Sequence, residues 1–181
     1  PPGAFLWADA NQGFDLEGAK AAAGFLKDEG IHVLEQPLSK RDLEGMKALR
    51  ASTSMPLAVD EACVTPEDFR RFAEAKLVDF LVVKITRSGG ISPSLDQIAM
   101  AKAADLPLLL SGLTDSFLVK MAACQLMSVF GFSGPAALNG SQFLDESAFF
   151  PSKGDWEKAG VIQLPSGPGI GVTPNLEASR A

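Results

Sequence analysis

The sequence predicts an α/β fold built on a parallel sheet of the TIM-barrel type. Three observations predict it. Short apolar runs alternate with longer amphipathic stretches over most of the chain. The short runs lack internal polar alternation, as expected of strands covered on both faces. Four successive runs end in an ionisable side chain at nearly even intervals, the placement expected at the C-terminal rim of a barrel.

The expected strands lie at 5–8, 33–34, 57–59, 80–83, 108–110 and 136–138. Between the first two, residues 16–27 carry Ala19, Ala22, Ala23 and Leu26 at helical spacing, with Asp15 placed as the cap. A second helix over 43–51 sets Leu43, Met46 and Leu49 on one face. Thr65-Pro66-Glu67-Asp68 opens a third, with Thr65 as cap, Pro66 at the first helical position and Asp68 three residues after the cap. Helices over 94–104 and 116–129 complete the alternation. Gly89-Gly90 reads as a tight turn into a helix, because it does not match the GxGxxG phosphate loop. Met121, Met127 and Phe130 read as core packing. Residues 140–181 are rich in Gly, Pro and Ser and read as a tail wrapping the same domain.

The chain has 181 residues, fewer than the roughly 250 of a complete barrel. Sixteen basic against twenty-two acidic residues leave a net charge of −6, which argues against nucleic acid or an anionic membrane as partner. No apolar run reaches the ~18 residues of a membrane span, and Pro1-Pro2-Gly3 shows no signal-peptide pattern. Cys63 and Cys124, the only cysteines, have no CxxC spacing and read as reduced thiols of a cytoplasmic protein. His32 is the single histidine, which excludes two-histidine zinc sites and a Ser-His-Asp triad around any other histidine. His32 itself reads as a strand-entry residue.

The rim residues are Asp9 in Asp9-Ala10-Asn11-Gln12-Gly13, Glu35 in Glu35-Gln36-Pro37, Asp60 in Asp60-Glu61-Ala62, and Lys84 in Lys84-Ile85-Thr86-Arg87-Ser88-Gly89-Gly90. Their spacings are 26, 25 and 24 residues, so each holds the same station in successive β/α units. Adjacent strands run ~4.8 Å apart, which lets three such carboxylates converge on one ion. An all-oxygen set suits Mg²⁺, with Mn²⁺ as the alternative, and disfavours Zn²⁺. A lysine acts as a base only when neutral; burial and a nearby divalent cation both favour that form. A single strand-end carboxylate is more often a turn, cap or ion-paired group, so the inference rests on the registered set.

These motifs resemble the enolase superfamily, and within it the muconate lactonizing enzyme (muconate cycloisomerase) subgroup. The resemblance runs from Trp7 to the closing Leu164-Pro165-Ser166-Gly167-Pro168-Gly169-Ile170-Gly171-Val172. It implies a (β/α)7β barrel represented here by strands three to eight, so that residues 1–181 are the C-terminal part of a catalytic barrel domain. The N-terminal capping domain and a second-strand Lys-x-Lys are expected to lie outside the chain. It also implies Asp9, Glu35 and Asp60 as magnesium ligands and Lys84 as the acid/base on the sixth barrel strand. The implied reaction is removal of the proton next to a carboxylate through an enediolate, as cycloisomerase, o-succinylbenzoate synthase-like lyase, or racemase/epimerase, on a small carboxylate substrate. The use of Lys or His with Mg²⁺ in this superfamily is a general pattern. The mandelate racemase subgroup relies on a seventh-strand histidine, which His32 does not match. Homo-oligomers are the family habit.

Further residues enter the expected site. Ser111 and Asp115, in Ser111-Gly112-Leu113-Thr114-Asp115-Ser116, resemble the substrate-side loop of the seventh strand, with helix capping by Asp115 and Ser116 the equal alternative. Asn139 closes Ala137-Leu138-Asn139, where dipeptide epimerases carry Asp-x-Asp for a substrate ammonium. Asn11 and Gln36 are candidates for orienting the carboxylates or the lysine, with turn chemistry an equal reading for Asn11. Glu61 is expected to point away from Asp60, toward a lysine or solvent. Two other classes remain open: a non-catalytic barrel fragment that binds ligand, and an open-sheet flavodoxin-like module, which would leave the carboxylate register unexplained.

Overall fold

A computed structural model describes residues 3–132, 135–140, 142–152, 157–158 and 161–180. The chain forms two compact units. The first runs through Val83 and resumes over Ser92–Leu109; the second takes Lys84–Ile91 and continues from Leu110.

In the first unit, strands and helices alternate as β1 (Trp7–Asp9), α1 (Leu16–Asp28), β2 (Val33–Glu35), α2 (Leu43–Ser52), β3 (Leu57–Val59), α3 (Pro66–Glu74) and β4 (Phe80–Val83). Each strand pairs in parallel with the next, with Asp9 opposite Glu35, Glu35 opposite Ala58, and Ala58 opposite Phe80. The N–H of Leu81 then donates to the carbonyl of Pro107, which brings the start of β5 (Leu108–Ser111) beside β4. The two-residue pleat sorts the side chains. Val33, Ala58, Val82 and Leu109 form one buried layer, with Phe5, Trp7 and Phe80 packed against it. The other parity, Leu34, Leu57, Val59 and Leu81, is also buried, as are Ala19, Ala23, Met46 and Leu49 of α1 and α2. Burying a Leu or Met side chain so fully stabilises by about 1.5–3 kcal/mol.

Local chemistry sets the helix starts. Asp15 accepts the Gly18 N–H at 2.8 Å and Asp42 accepts the Gly45 N–H at 2.8 Å. Thr65 and Asp68 form a reciprocal capping box, with Pro66 at the first helical position. The apolar spacing that marks α2 does not itself name Asp42 as its cap. Helix α5 (Ile91–Ala103) begins three residues earlier than expected. Pro93 falls in the first turn, where the N–H has no partner inside the helix, so proline costs nothing there.

The second unit opens with a short helix, α4 (Ile85–Ser88), that the apolar pattern did not reveal. Gly89 ends it at φ 93°, so the double glycine turns one helix into the next. The end of β5 pairs in parallel with β6 (Ala136–Ala137). Helix α6 (Phe117–Phe130) starts at Ser116, which caps the Val119 N–H, and stops at Gly131 with φ 63°. Phe117, Met121 and Phe150 form its buried cluster, with Ile162 and Val172 of the later chain packed against them. That later chain also contains an antiparallel pair, β7 (Glu157–Lys158) with β8 (Val161–Ile162), and a 3-10 turn at Leu176–Arg180, neither of which was expected. Among the described residues no helix is long and apolar enough to cross a membrane.

Candidate active site

Asp9, Glu35 and Asp60 each offer an oxygen, and these atoms lie within 4.8 Å of one another. The register explains why. Asp9 and Glu35 are direct partners across β1 and β2, and Asp60 stands two residues beyond Ala58, the partner of Glu35. Two residues is one pleat repeat, so all three side chains leave the same face. Glu35 and Asp60 are buried and Asp9 is exposed, which gives the cluster an enclosed floor and a solvent side.

The donor set fits a divalent hard cation. Oxygens sharing a Mg²⁺ octahedron at ~2.1 Å lie ~3 Å apart along an edge and ~4.2 Å across it. Three carboxylates within 4.8 Å are close to that span, and neither histidine nor thiolate is in the set.

The surrounding loops are tied by main-chain bonds that continue the ladder past the strands. Ala10 N–H donates to Glu35 C=O at 3.0 Å, Gln12 N–H to Gln36 C=O at 2.8 Å, and Phe14 N–H to Pro37 C=O at 3.1 Å. Asn11, in a left-handed conformation at φ 45°, donates its N–H to Asp9 Oδ1 at 2.9 Å. Asn11 therefore serves Asp9 through its backbone. Gln36 is fully buried; its Oε1 accepts the N–H groups of Asp60 and Ala62, and its Nε2 donates to Leu38 C=O.

Glu61 departs from expectation. It is half-buried, and its Oε2 is shielded from solvent with no hydrogen-bond partner among the described residues. Nearby, burial and then the charge of Asp68 push the Cys63 thiol up to about 12. His32 fits its structural reading: Nδ1 accepts the Leu6 N–H at 3.1 Å and the ring stacks on Phe5.

In the second unit, Lys84 is buried at the residue just after β4, in extended backbone, and its carbonyl accepts the Ser88 N–H. Asp115 is buried and accepts the Leu113 N–H at 2.9 Å and the Thr86 hydroxyl at 3.1 Å. It does not cap α6; Ser116 does. The Gly112 and Gly140 backbones press against Asp115, and a Cβ on Gly140, at φ 118°, would collide with the Asp115 backbone. Ser111 is buried, with its hydroxyl 3.4 Å from Ala137 C=O, while Asn139 is exposed. Glu146 escaped sequence reasoning: both its oxygens accept the Phe117 N–H, from 29 residues downstream. No spacing rule links a carboxylate that distant to a helix start.

A parallel α/β fold with an acidic cluster at its strand ends belongs to the class of α/β proteins that carry functional groups where their strands end. The chain belongs to the enolase C-terminal domain-like family, whose pattern matches residues 1–179. It is 30% identical over 172 residues to muconate cycloisomerase 1-2 of Acinetobacter lwoffii, covering 91% of this chain and 43% of that protein. It is 31% identical over 173 residues to the aromatic dipeptide epimerase of Herpetosiphon aurantiacus, covering 94% of this chain and 48% of the relative. A dipeptide epimerase from Enterococcus faecalis, solved with Mg and the dipeptide L-Leu-L-Tyr, superposes with a TM-score of 0.71 at 25% identity, over 76% of this chain and 39% of that one. The chain thus spans less than half the length of these relatives, which are enzymes of the enolase superfamily.

Proposed function

We propose that this chain supplies the cation-binding residues and an acid/base of an enzyme that moves a proton on the carbon next to a carboxylate. The reaction is an isomerisation of the epimerase or cycloisomerase type. The observation that carries this reading is the Asp9, Glu35 and Asp60 cluster, with oxygens within 4.8 Å. Its donor chemistry suits Mg²⁺, the ion present in the Enterococcus epimerase complex.

Asp9, Glu35 and Asp60 would hold the ion, Asp9 from the solvent side. When bound, the ion supplies positive charge where the substrate carboxylate becomes more negative. Lys84 is assigned the proton transfer. An amine that takes the proton as the C–H bond breaks lets the electron pair pass into the carboxylate, and the resulting ammonium can return a proton to carbon. Lys84 occupies the position after β4 that Asp60 occupies after β3, and it is buried. The substrate is a small carboxylic acid. Ala137-Leu138-Asn139 offers no carboxylate for a free substrate ammonium, which favours acids without one.

The test is α-proton exchange. Full-length protein with Mg²⁺ in D₂O is incubated with dipeptides, N-acyl amino acids and unsaturated dicarboxylates, and deuterium at the α-carbon is read by NMR. Wild type should exchange at least one class, while Lys84→Ala and Asp60→Asn should lower the rate by at least ~10³-fold. Undiminished exchange in either variant would refute the assignment. Cation binding with no exchange in any class would favour the binding-module reading.

A further inference from the structure

We propose that Gln36 is the positioning residue that fixes the spacing of the three carboxylates, and with it the preference of the site for a small divalent cation. This rests on reading Asp9, Glu35 and Asp60 as a cation site.

The sequence suggests Gln36 as a donor that orients the carboxylates or the lysine. The structure assigns the opposite use of the amide. Nε2 is turned away and donates to Leu38 C=O at 2.9 Å. Oε1 accepts two main-chain N–H groups of the next strand end, Asp60 at 3.1 Å and Ala62 at 3.0 Å. The backbone of Gln36 is equally committed: its N–H donates to Ala58 C=O at 2.9 Å, and its C=O accepts the Gln12 N–H at 2.8 Å. One residue therefore bonds to the loop after Asp9, follows Glu35 in the chain, and grips Asp60 by its own amide.

Two features mark this as an imposed arrangement. Gln36 is fully buried, where an unmatched amide would be costly. It also holds φ 39°, a left-handed conformation unfavourable for a side chain with a Cβ. Strain of this kind persists only where surrounding bonds over-determine it, and here those bonds converge on the three ligand-bearing strand ends. Beyond the last ladder bond, strand ends are otherwise free to drift.

Spacing matters differently to different ions. Mg²⁺ demands near-ideal octahedral geometry at 2.0–2.1 Å, whereas Ca²⁺ accepts 2.3–2.6 Å and irregular shells. A frame that holds the oxygens to a set separation favours the former. A loosened frame loses Mg²⁺ first.

The experiment compares full-length wild type, Gln36→Asn and Gln36→Glu, titrating Mg²⁺ and Ca²⁺ separately by calorimetry after metal removal. Asparagine tolerates the left-handed backbone but is one methylene too short to reach Asp60 and Ala62. Glutamate keeps an acceptor oxygen at the same reach for both N–H groups, replaces the donor to Leu38 C=O with an oxygen that repels it, and adds a charge that acts on both ions alike. We expect Gln36→Asn to weaken Mg²⁺ at least ~10-fold and Ca²⁺ less than ~3-fold, while Gln36→Glu keeps the Mg²⁺/Ca²⁺ ratio within ~3-fold of wild type. Equal losses of both ions in Gln36→Asn, unchanged binding of both, or a collapsed ratio in Gln36→Glu would overturn the inference. Wild type that binds neither ion would overturn the cation site itself.

Discussion

Asp9 lies directly opposite Glu35 on the paired strands β1 and β2, so two carboxylates occupy one cross-strand pair. Like charges placed opposite each other oppose folding by roughly 0.2–1 kcal/mol. Nothing in strand pairing rewards that arrangement, whereas a shared cation does. In metal-free protein, Asp9→Asn should raise Tm by about 1–3 °C. The same change should abolish most of the Tm increase that Mg²⁺ gives wild type. Differential scanning calorimetry with and without Mg²⁺ reads both; a lower metal-free Tm would show that Asp9 serves the fold instead.

Arg50 forks onto Asp79, with Nη1 to Oδ2 at 2.6 Å and Nη2 to Oδ1 at 2.8 Å, and Asp79 Oδ2 also accepts the Leu57 N–H at the start of β3. Both side chains are about one-third exposed, which reduces the worth of the pair. Arg50→Ala should cost about 1 kcal/mol and Asp79→Ala about 2 kcal/mol, because the latter also strips the strand N–H of its acceptor. Urea denaturation of both single variants and the double variant gives the coupling. Equal costs for the two single changes would remove the strand-anchoring role of Asp79.

The capping box at Thr65 and Asp68 carries a pH signature. Burial raises the Asp68 carboxyl, but the Thr65 backbone and hydroxyl, the Val64 N–H and the charge of Arg71 outweigh it and hold the group below its ordinary value. A carboxyl depressed in the native state stabilises above the unfolded pKa near 4, and that contribution fades as pH falls through the native value. Asp68→Ala should therefore lower stability by about 1 kcal/mol at pH 7 and by clearly less at pH 3. Circular dichroism melts at the two pH values measure the difference, and a constant gap would count against the linkage.

Cys63 titrates in the other direction. With its thiol pushed up to about 12 from 9.0, it stays protonated in the folded protein at pH 8. Native protein should react with iodoacetamide at Cys63 at least ~100-fold more slowly than unfolded protein, as read by peptide mass spectrometry. Below about pH 9 both states hold the proton and nothing changes. Between 9 and 12 the unfolded chain releases it while the native chain does not, so stability declines with rising pH. Cys63→Ala should flatten that part of the alkaline slope.

Sequence reasoning succeeded where one local rule decides an element. The runs at 57–59 and 80–83 match β3 and β4 residue for residue, because unbroken apolar segments bounded by turn residues have little freedom. Asp15 and Thr65 were legible as caps for the same reason. The three carboxylates emerged from spacing alone, since equal β/α repeats return the chain to the same rim. What was hidden depends on contacts between distant segments. The acceptor role of Gln36, the burial of Asp115 against Gly140, and the capping carboxylate of Glu146 each join residues 24 to 29 positions apart.

Glu146 also bears on how the molecule is made. A ribosome completes α6 before it reaches this residue, so Ser116 is the local cap of the first turn and Glu146 is a later addition. The Phe117 N–H meets this acceptor only after 29 more residues have been added. The leading end of α6 is therefore finished late in synthesis, by chain that arrives after the helix itself.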